Sequence, residues 1–174
     1  MALKDDLEKD VKKIFGDHWT IRNGTVIPTT DDIALGNDGV ELDATVLYAD
    51  LTDSTSLVSD FEPAFAAEIY KCYLRFAAKI IRAEGGSITS FDGDRIMAVY
   101  FASTKCTSAT RTALKINYAV SKIINPALKA QYPKKTYKVE HIVGVDTSKI
   151  LVVRGGIRGS NDLLWIGNAA NRAA

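Results

Sequence analysis

The eight residues Ala44-Thr-Val-Leu-Tyr-Ala-Asp-Leu51 form a nearly continuous apolar, β-branched run. A run without polar alternation suits a strand buried on both faces, which obliges the rest of the chain to cover it. Asp50 interrupts that run at its end. A carboxylate left buried and unpaired there would cost several kcal/mol, so it needs a metal ion, a cation or hydrogen-bond donors.

Periodicity supplies the surrounding elements. Leu3, Leu7, Val11 and Ile14 step by 4, 4 and 3, which predicts an amphipathic helix over residues 3–15, ended by Gly16. Residues 16–43 are rich in Gly, Asn, Asp and Thr and read as loops holding one short strand pair. Thr52, Asp53, Ser54, Thr55 and Ser56 offer helix-capping side chains ahead of Leu57. Phe65, Ile69, Cys72, Phe76 and Ile80 predict a helix over 62–83, stopped by Gly85-Gly86. Asp92-Gly93, between runs at 87–91 and 95–101, is a two-residue hairpin signal that puts Asp94 just inside the second strand.

Ala109, Ala113, Ile116, Val120 and Ile123 predict a helix over 104–125, closed near Pro126. Strands are expected at 137–145 and 150–153, joined by Asp146-Thr-Ser-Lys149, and at 163–166. Gly155-Gly156-Ile-Arg158-Gly159 reads as flexible or tightly turned, and Gly167-Asn168 opens a last helix. Strand, helix, hairpin, helix, strand is the βαββαβ order of an α+β, ferredoxin-like sheet covered by helices on one face, here with extra C-terminal strands.

At 174 residues the chain fits one domain with a substantial core. Lys+Arg 22 against Asp+Glu 21 gives a net charge of +1, which points to neither nucleic acid nor a membrane surface as partner. Cys72 and Cys106 lie in helical patterns and read as reduced core residues. With no apolar run long enough for a signal peptide or membrane span, a cytoplasmic protein is expected. His18 and His141 are isolated, and zinc, Gly-x-Ser-x-Gly and P-loop patterns are missing, so hydrolase and P-loop readings fall away.

The second carboxylate, Asp94, sharpens the meaning of Asp50. If the first strand pairs with the hairpin, both arrive at one sheet end, which suits Mg²⁺ or Mn²⁺ sharing oxygen ligands with substrate phosphates. Residues 52–56 read either as an anion site at a helix start or as a simple N-cap. Asp92 reads as the turn residue, with a secondary metal or pocket role open. Taken alone, Asn171 and Arg172 are surface positions of the last helix, and Arg154 and Arg158 read as residues of a solvated loop, with reach to a phosphate as the alternative.

Together these motifs resemble the class III nucleotide cyclase catalytic domain. Leu47-Tyr-Ala-Asp50-Leu51 with Ser54-Thr-Ser56 is similar to the family's first strand and its Gly/Ser-Thr turn. Gly93-Asp94-Arg-Ile-Met-Ala-Val-Tyr100 is similar to its second metal-binding strand, and Ile166-Gly-Asn-Ala-Ala-Asn171 to its late Trp-Gly-Asn-x-x-Asn motif. The resemblance implies a catalytic domain over residues 44–174 behind an N-terminal helix and arm of residues 1–43. It implies that Asp50 and Asp94, with the Leu51 carbonyl, bind two divalent ions, Mn²⁺ or Mg²⁺. The backbone of Thr52, Asp53, Ser54 and Thr55 would cradle the terminal phosphates of a nucleoside triphosphate. The ribose 3′-hydroxyl would attack the α-phosphate and expel pyrophosphate. Asn171, from the second protomer of a head-to-tail homodimer with composite active sites, would orient the ribose.

Three departures qualify the resemblance. The family's transition-state Arg, four residues after the helix Asn, and a later phosphate-binding Lys fall past Ala174, so the chain is expected to be truncated or else not competent as it stands. Purine readers carry Lys and Asp where Ser90 and Leu164 stand here, although a one-residue shift around Trp165 leaves the second alignment open; the Glu and Cys of guanine readers are missing too. Asp92 replaces a usually apolar residue. These departures, with the phrases Leu-Tyr-Ala-Asp-Leu and Phe-Asp-Gly-Asp-Arg, resemble the pyrimidine cyclases of bacterial anti-phage (Pycsar) systems. That likeness implies cyclic UMP or cyclic CMP made from UTP or CTP and read by a separate effector. The alternatives are a bacterial class III adenylate cyclase and a non-catalytic cyclase-like regulatory module. A diguanylate cyclase shares the topology, but the hairpin lacks the Gly-Gly-Asp/Glu-Glu-Phe signature.

Overall fold

A computed structural model describes residues 2–174. They form two compact units, Met1–Asp43 with Lys149–Gly167, and Ala44–Ser148 with Asn168–Ala174. Strand β2 (Asp38–Leu51) runs through both, as does β5 (His141–Ile157).

In the larger unit the apolar end of β2 lies between β4 (Arg95–Tyr100) and β5, with β3 (Ser87–Asp92) beyond β4. The pairing of β2 with β4 is antiparallel, from Thr45↔Tyr100 to Asp50↔Arg95. Side chains alternate across a strand. Leu47, Ala49 and Leu51 of β2, with Ile96, Ala98 and Tyr100 of β4, join the helical core. Tyr48, Asp50, Met97 and Arg95 occupy the opposite face. Helix α3 (Pro63–Ala83) and α4 (Lys105–Ala119) pack on the sheet, giving the expected βαββαβ order. The short α2 (Ser54–Asp60) follows β2, and α6 (Asn168–Ala173) follows the last strand. Ala169, Ala170 and Ala173 bury one side of α6, and the Ala169 N–H donates to Ser148 Oγ at 2.9 Å.

In the smaller unit, α1 (Ala2–Gly16) is the helix predicted from Leu3, Leu7, Val11 and Ile14, and none of its residues is buried. The strand pair expected within 16–43 consists of β1 (Thr20–Asn23) lying parallel to the first residues of β2, which therefore begins at Asp38 and not at Ala44. Asn37 Nδ2 donates to the Ile14 and Asp17 carbonyls at 2.8 Å each. Strand β6 (Ser160–Ile166) pairs antiparallel with the end of β5.

Several expectations are corrected. Asp146-Thr-Ser-Lys149 is not a loop, because β5 is continuous there. Its short polar side chains serve cross-strand bonds: Thr147 Oγ1 donates to the Ala44 carbonyl at 3.0 Å and accepts from Thr45 Oγ1 at 3.0 Å. Gly155 and Gly156 belong to the same strand, and the turn is Arg158-Gly159 with Gly159 at φ 84°. Arg154 is tied structurally, donating to Asn161 Oδ1 at 2.7 Å.

The helix expected to close near Pro126 instead continues. A π-helical segment, Val120–Ile124, leads into α5 (Asn125–Gln131), where Pro126 occupies the first turn and needs no N–H partner. The extra residue of that π turn moves the buried position from Ile123 to Ile124. On α3 the fully buried column is Tyr73, Ala77 and Ile81, while the predicted Cys72, Phe76 and Ile80 sit half-buried beside it on a broad apolar face. Both cysteines are free, but Cys106 is exposed and not in the core. Among the described residues no helix is long and apolar enough to cross a membrane.

Candidate active site

Asp92 pairs with Arg95, so the two-residue turn is Gly93-Asp94, one residue later than expected. Gly93 takes the left-handed conformation (φ 60°) that a tight hairpin requires at its first position, and Asp94 lies in the turn itself. Because Asp50 is the register partner of Arg95, Asp50 and Asp94 stand one position apart across the β2–β4 pair. The two candidate metal carboxylates do arrive at one sheet end.

Asp50 is 31% exposed and forms an ion pair with Arg95. Arg95 Nε and Nη2 both donate to Asp50 Oδ2, each at 3.1 Å. Asp50 Oδ1 is buried and has no partner. Asp50, Leu51 and Thr52 line a small cavity of about 90 Å³ together with Tyr48, Arg95 and Gly144.

The chain then turns sharply. Asp53 adopts φ 57°, ψ 33°, a left-handed conformation that Asp tolerates better than most residues. It is the N-cap of α2 by position only: no side-chain capping bond forms, and Ser56 Oγ donates to Asp53 Oδ1 at 2.6 Å instead. Ser54 and Thr55 form the first turn of α2. The Thr52 N–H is committed to the Glu140 carbonyl at 3.0 Å, which corrects its expected place in a backbone cradle; its buried, unpartnered hydroxyl is the group left to offer a ligand. Thr52, Asp53 and Ser56 line a second cavity of about 300 Å³ with Tyr137, Lys138 and Glu140.

Neither Ser90 nor Asn171 is among the residues lining these cavities, although Ala173 of α6 and the following Ala174 line the first. Ser90 is half-buried on β3, opposite Met97. Leu164 belongs to the smaller unit, on β6, 49% exposed and packed over Gly155. Asn171 and Arg172 are exposed on α6.

Sequence reasoning missed Arg95, Tyr73 and Tyr137. Among the described residues four buried side-chain polar atoms lack a partner: Asp50 Oδ1, Thr52 Oγ1, Tyr73 Oη and Tyr137 Oη. All four belong to the surroundings of the two carboxylates. Burial, then the fields of Asp50 and Asp94, hold the Tyr73 hydroxyl protonated well above the usual tyrosine range. Burial pushes Tyr137 up to about 12, with Asp53 and Asp94 adding to it. Each unsatisfied buried group costs about 1–3 kcal/mol, so a cluster of them is a cost that a bound ligand would relieve. Carboxylate and hydroxyl oxygens are hard donors that suit Mg²⁺ or Mn²⁺. Among the described residues no group of three or more His, Cys, Asp or Glu gathers as a metal cluster, so these two carboxylates would have to share an ion with another oxygen source.

His141, at the start of β5, lies 5.9 Å from the Tyr73 ring, and burial lowers its pKa. Such a histidine binds protons more readily when the chain is unfolded. Its stabilising contribution is therefore present above the unfolded value, about pH 6.5, and is lost as pH falls through the folded value. Thermal unfolding midpoints measured from about pH 8 to about pH 5 are expected to fall more steeply for the wild-type protein than for His141→Gln.

No protein-family model matches the chain. A uridylate cyclase from Burkholderia cepacia is 49% identical over 176 residues, covering 100% of this chain and 76% of its own length. A uridylate cyclase from Xanthomonas perforans is 45% identical over 175 residues, covering 100% of this chain and 76% of its own. Among solved structures, the adenylyl cyclase CyaB from P. aeruginosa matches with a TM-score of 0.70 at 23% identity, covering 78% of this chain and 70% of that one, a likeness of fold. Both matches to uridylate cyclases span the whole chain, including the segments that carry the two carboxylates. This chain belongs to the uridylate cyclase family.

Proposed function

We propose that this protein converts UTP into 3′,5′-cyclic UMP and pyrophosphate, using two divalent ions held by Asp50 and Asp94 with the Leu51 carbonyl. The observation that carries this reading is the buried, unpartnered Asp50 Oδ1, one register position from Asp94 and sharing a cavity lining with Thr52, whose hydroxyl is also unpartnered. Relatives named uridylate cyclase at 45% and 49% identity support UTP over CTP and over purines.

In the proposed reaction the 3′-hydroxyl gives up its proton to solvent water, the O3′–Pα bond forms, and the Pα–O bond to the β-phosphate breaks, with pyrophosphate leaving on that electron pair. Bound ions would supply charge neutralisation and favour the ionised hydroxyl. Asp50 and Asp94 hold that charge at the strand end. The Thr52 hydroxyl and the turn through Asp53, Ser54 and Thr55 face the terminal phosphates. Tyr73 and Tyr137, kept protonated, donate hydrogen bonds. Asn171, exposed on α6, is available to orient the ribose in a second copy of the chain, which makes the proposed enzyme a homodimer. Ser90 and Leu164 are the proposed base-facing positions, where neither side chain supplies the purine-reading Lys or Asp. The sequence resemblance also supports a role for the product in anti-phage signalling, read by a separate effector.

The test is to incubate the full-length protein and Mn²⁺ with ATP, GTP, CTP and UTP separately and identify products by mass. Cyclic UMP is the expected dominant product. Dominant cyclic AMP sinks the pyrimidine reading, and absence of product from all four nucleotides sinks the enzymatic one.

A further inference from the structure

The carboxylate proposed to hold metal already has a cation on it. Arg95 donates twice to Asp50 Oδ2, at 3.1 Å from both Nε and Nη2. The pair is built into the sheet, because Asp50 and Arg95 are direct partners in the β2–β4 register. On the same face Arg95 lies over Tyr48, its Cζ 5.4 Å from the ring centroid, which further holds the guanidinium in place. A divalent ion approaching Asp50 therefore meets a carboxylate with one oxygen occupied, and a fixed positive charge a few ångströms away.

Resting on the assignment of Asp50 to metal binding, we propose that Arg95 is a built-in counter-cation that competes with the divalent ion for Asp50. It weakens binding of free metal and keeps the strand end neutralised, not metal-loaded, when free metal is scarce. Arg95 stands to the ion as a competitor for a ligand, not as a ligand itself.

Mn²⁺ alone, titrated into the full-length protein and followed by the paramagnetic resonance of the unbound ion, tests this. Arg95→Gln is expected to bind Mn²⁺ about tenfold more tightly than wild type, the effect of releasing one charged hydrogen-bonded pair. Asp50→Asn is expected to lose the site with or without Arg95. If Asp50→Asn loses the site but Arg95→Gln binds no more tightly than wild type, the competing role is overturned and the metal assignment stands. If Asp50→Asn binds as wild type does, the metal assignment itself is overturned. Should Arg95→Gln fail to fold, Arg95→Lys keeps the charge but not the fork; a smaller rise in affinity is expected, and no rise overturns the proposal.

Discussion

Exchanging Asp50 for Asn is expected to lower cyclase activity by a factor on the order of 10³ or more while leaving stability within about 1 kcal/mol of wild type. The two effects separate because the side chain does different work in each state. In the ligand-free fold it makes a partly exposed ion pair, 31% exposed on the Asp50 side and 36% on the Arg95 side, which solvent screens. Its other oxygen makes no bond at all, so the fold loses little when the charge goes. In the proposed reaction the same oxygens must hold divalent charge against a polyphosphate, where the loss is several kcal/mol of transition-state stabilisation. Initial rates and a denaturant midpoint on the same preparation check both halves. Retained activity, or loss of activity matched by an equal collapse of stability, would count against the assignment.

The second large effect is expected at Gly144. A Cβ built there would lie 2.0 Å from the Ala173 carbonyl oxygen, a backbone atom of α6 that no rotamer change can move aside. Gly144→Ala is therefore expected to push α6 off β5, at about 1–3 kcal/mol in stability. It should also displace Asn171, with a loss of about 10²-fold in activity if that residue positions the ribose. Gly16→Ala, where a Cβ meets nothing within 4 Å, is the matched control and should be neutral in both measurements. Full activity of Gly144→Ala would sink the role given to α6.

The order of strands and helices was legible from period and punctuation, because each element signals through neighbouring residues. The run into Asp50 falls where expected, the hairpin turn lies one residue later than its Asp-Gly signal, and on α3 the predicted stripe borders the fully buried column. What the sequence conceals is what depends on distant pairing. Arg95 meets Asp50 across 45 positions, a register that no local periodicity sets. Tyr73 is an unremarked neighbour of Cys72 in the sequence, since a rotation of one residue, about 100°, decides which of two adjacent apolar columns is fully buried. Asp146-Thr-Ser-Lys149 has turn-like composition, yet Thr147 uses its hydroxyl to bond Ala44, 103 positions away. A buried tyrosine hydroxyl with no obvious partner is the signal that would have widened the site earlier.

The division of the chain into two units bears on how the protein is made. The smaller unit draws on Met1–Asp43 and Lys149–Gly167, and its Glu41–Lys149 ion pair spans 108 positions. The first segment leaves the ribosome long before its partner strands exist. At about 5–20 residues per second of synthesis, roughly 5–20 s pass between the two. The larger unit, nearly all of which lies between those segments, has its sheet and both packing helices available first. The order of translation thus favours a newborn chain that builds its carboxylate-bearing sheet end before the second segment of the smaller unit, Lys149–Gly167, exists.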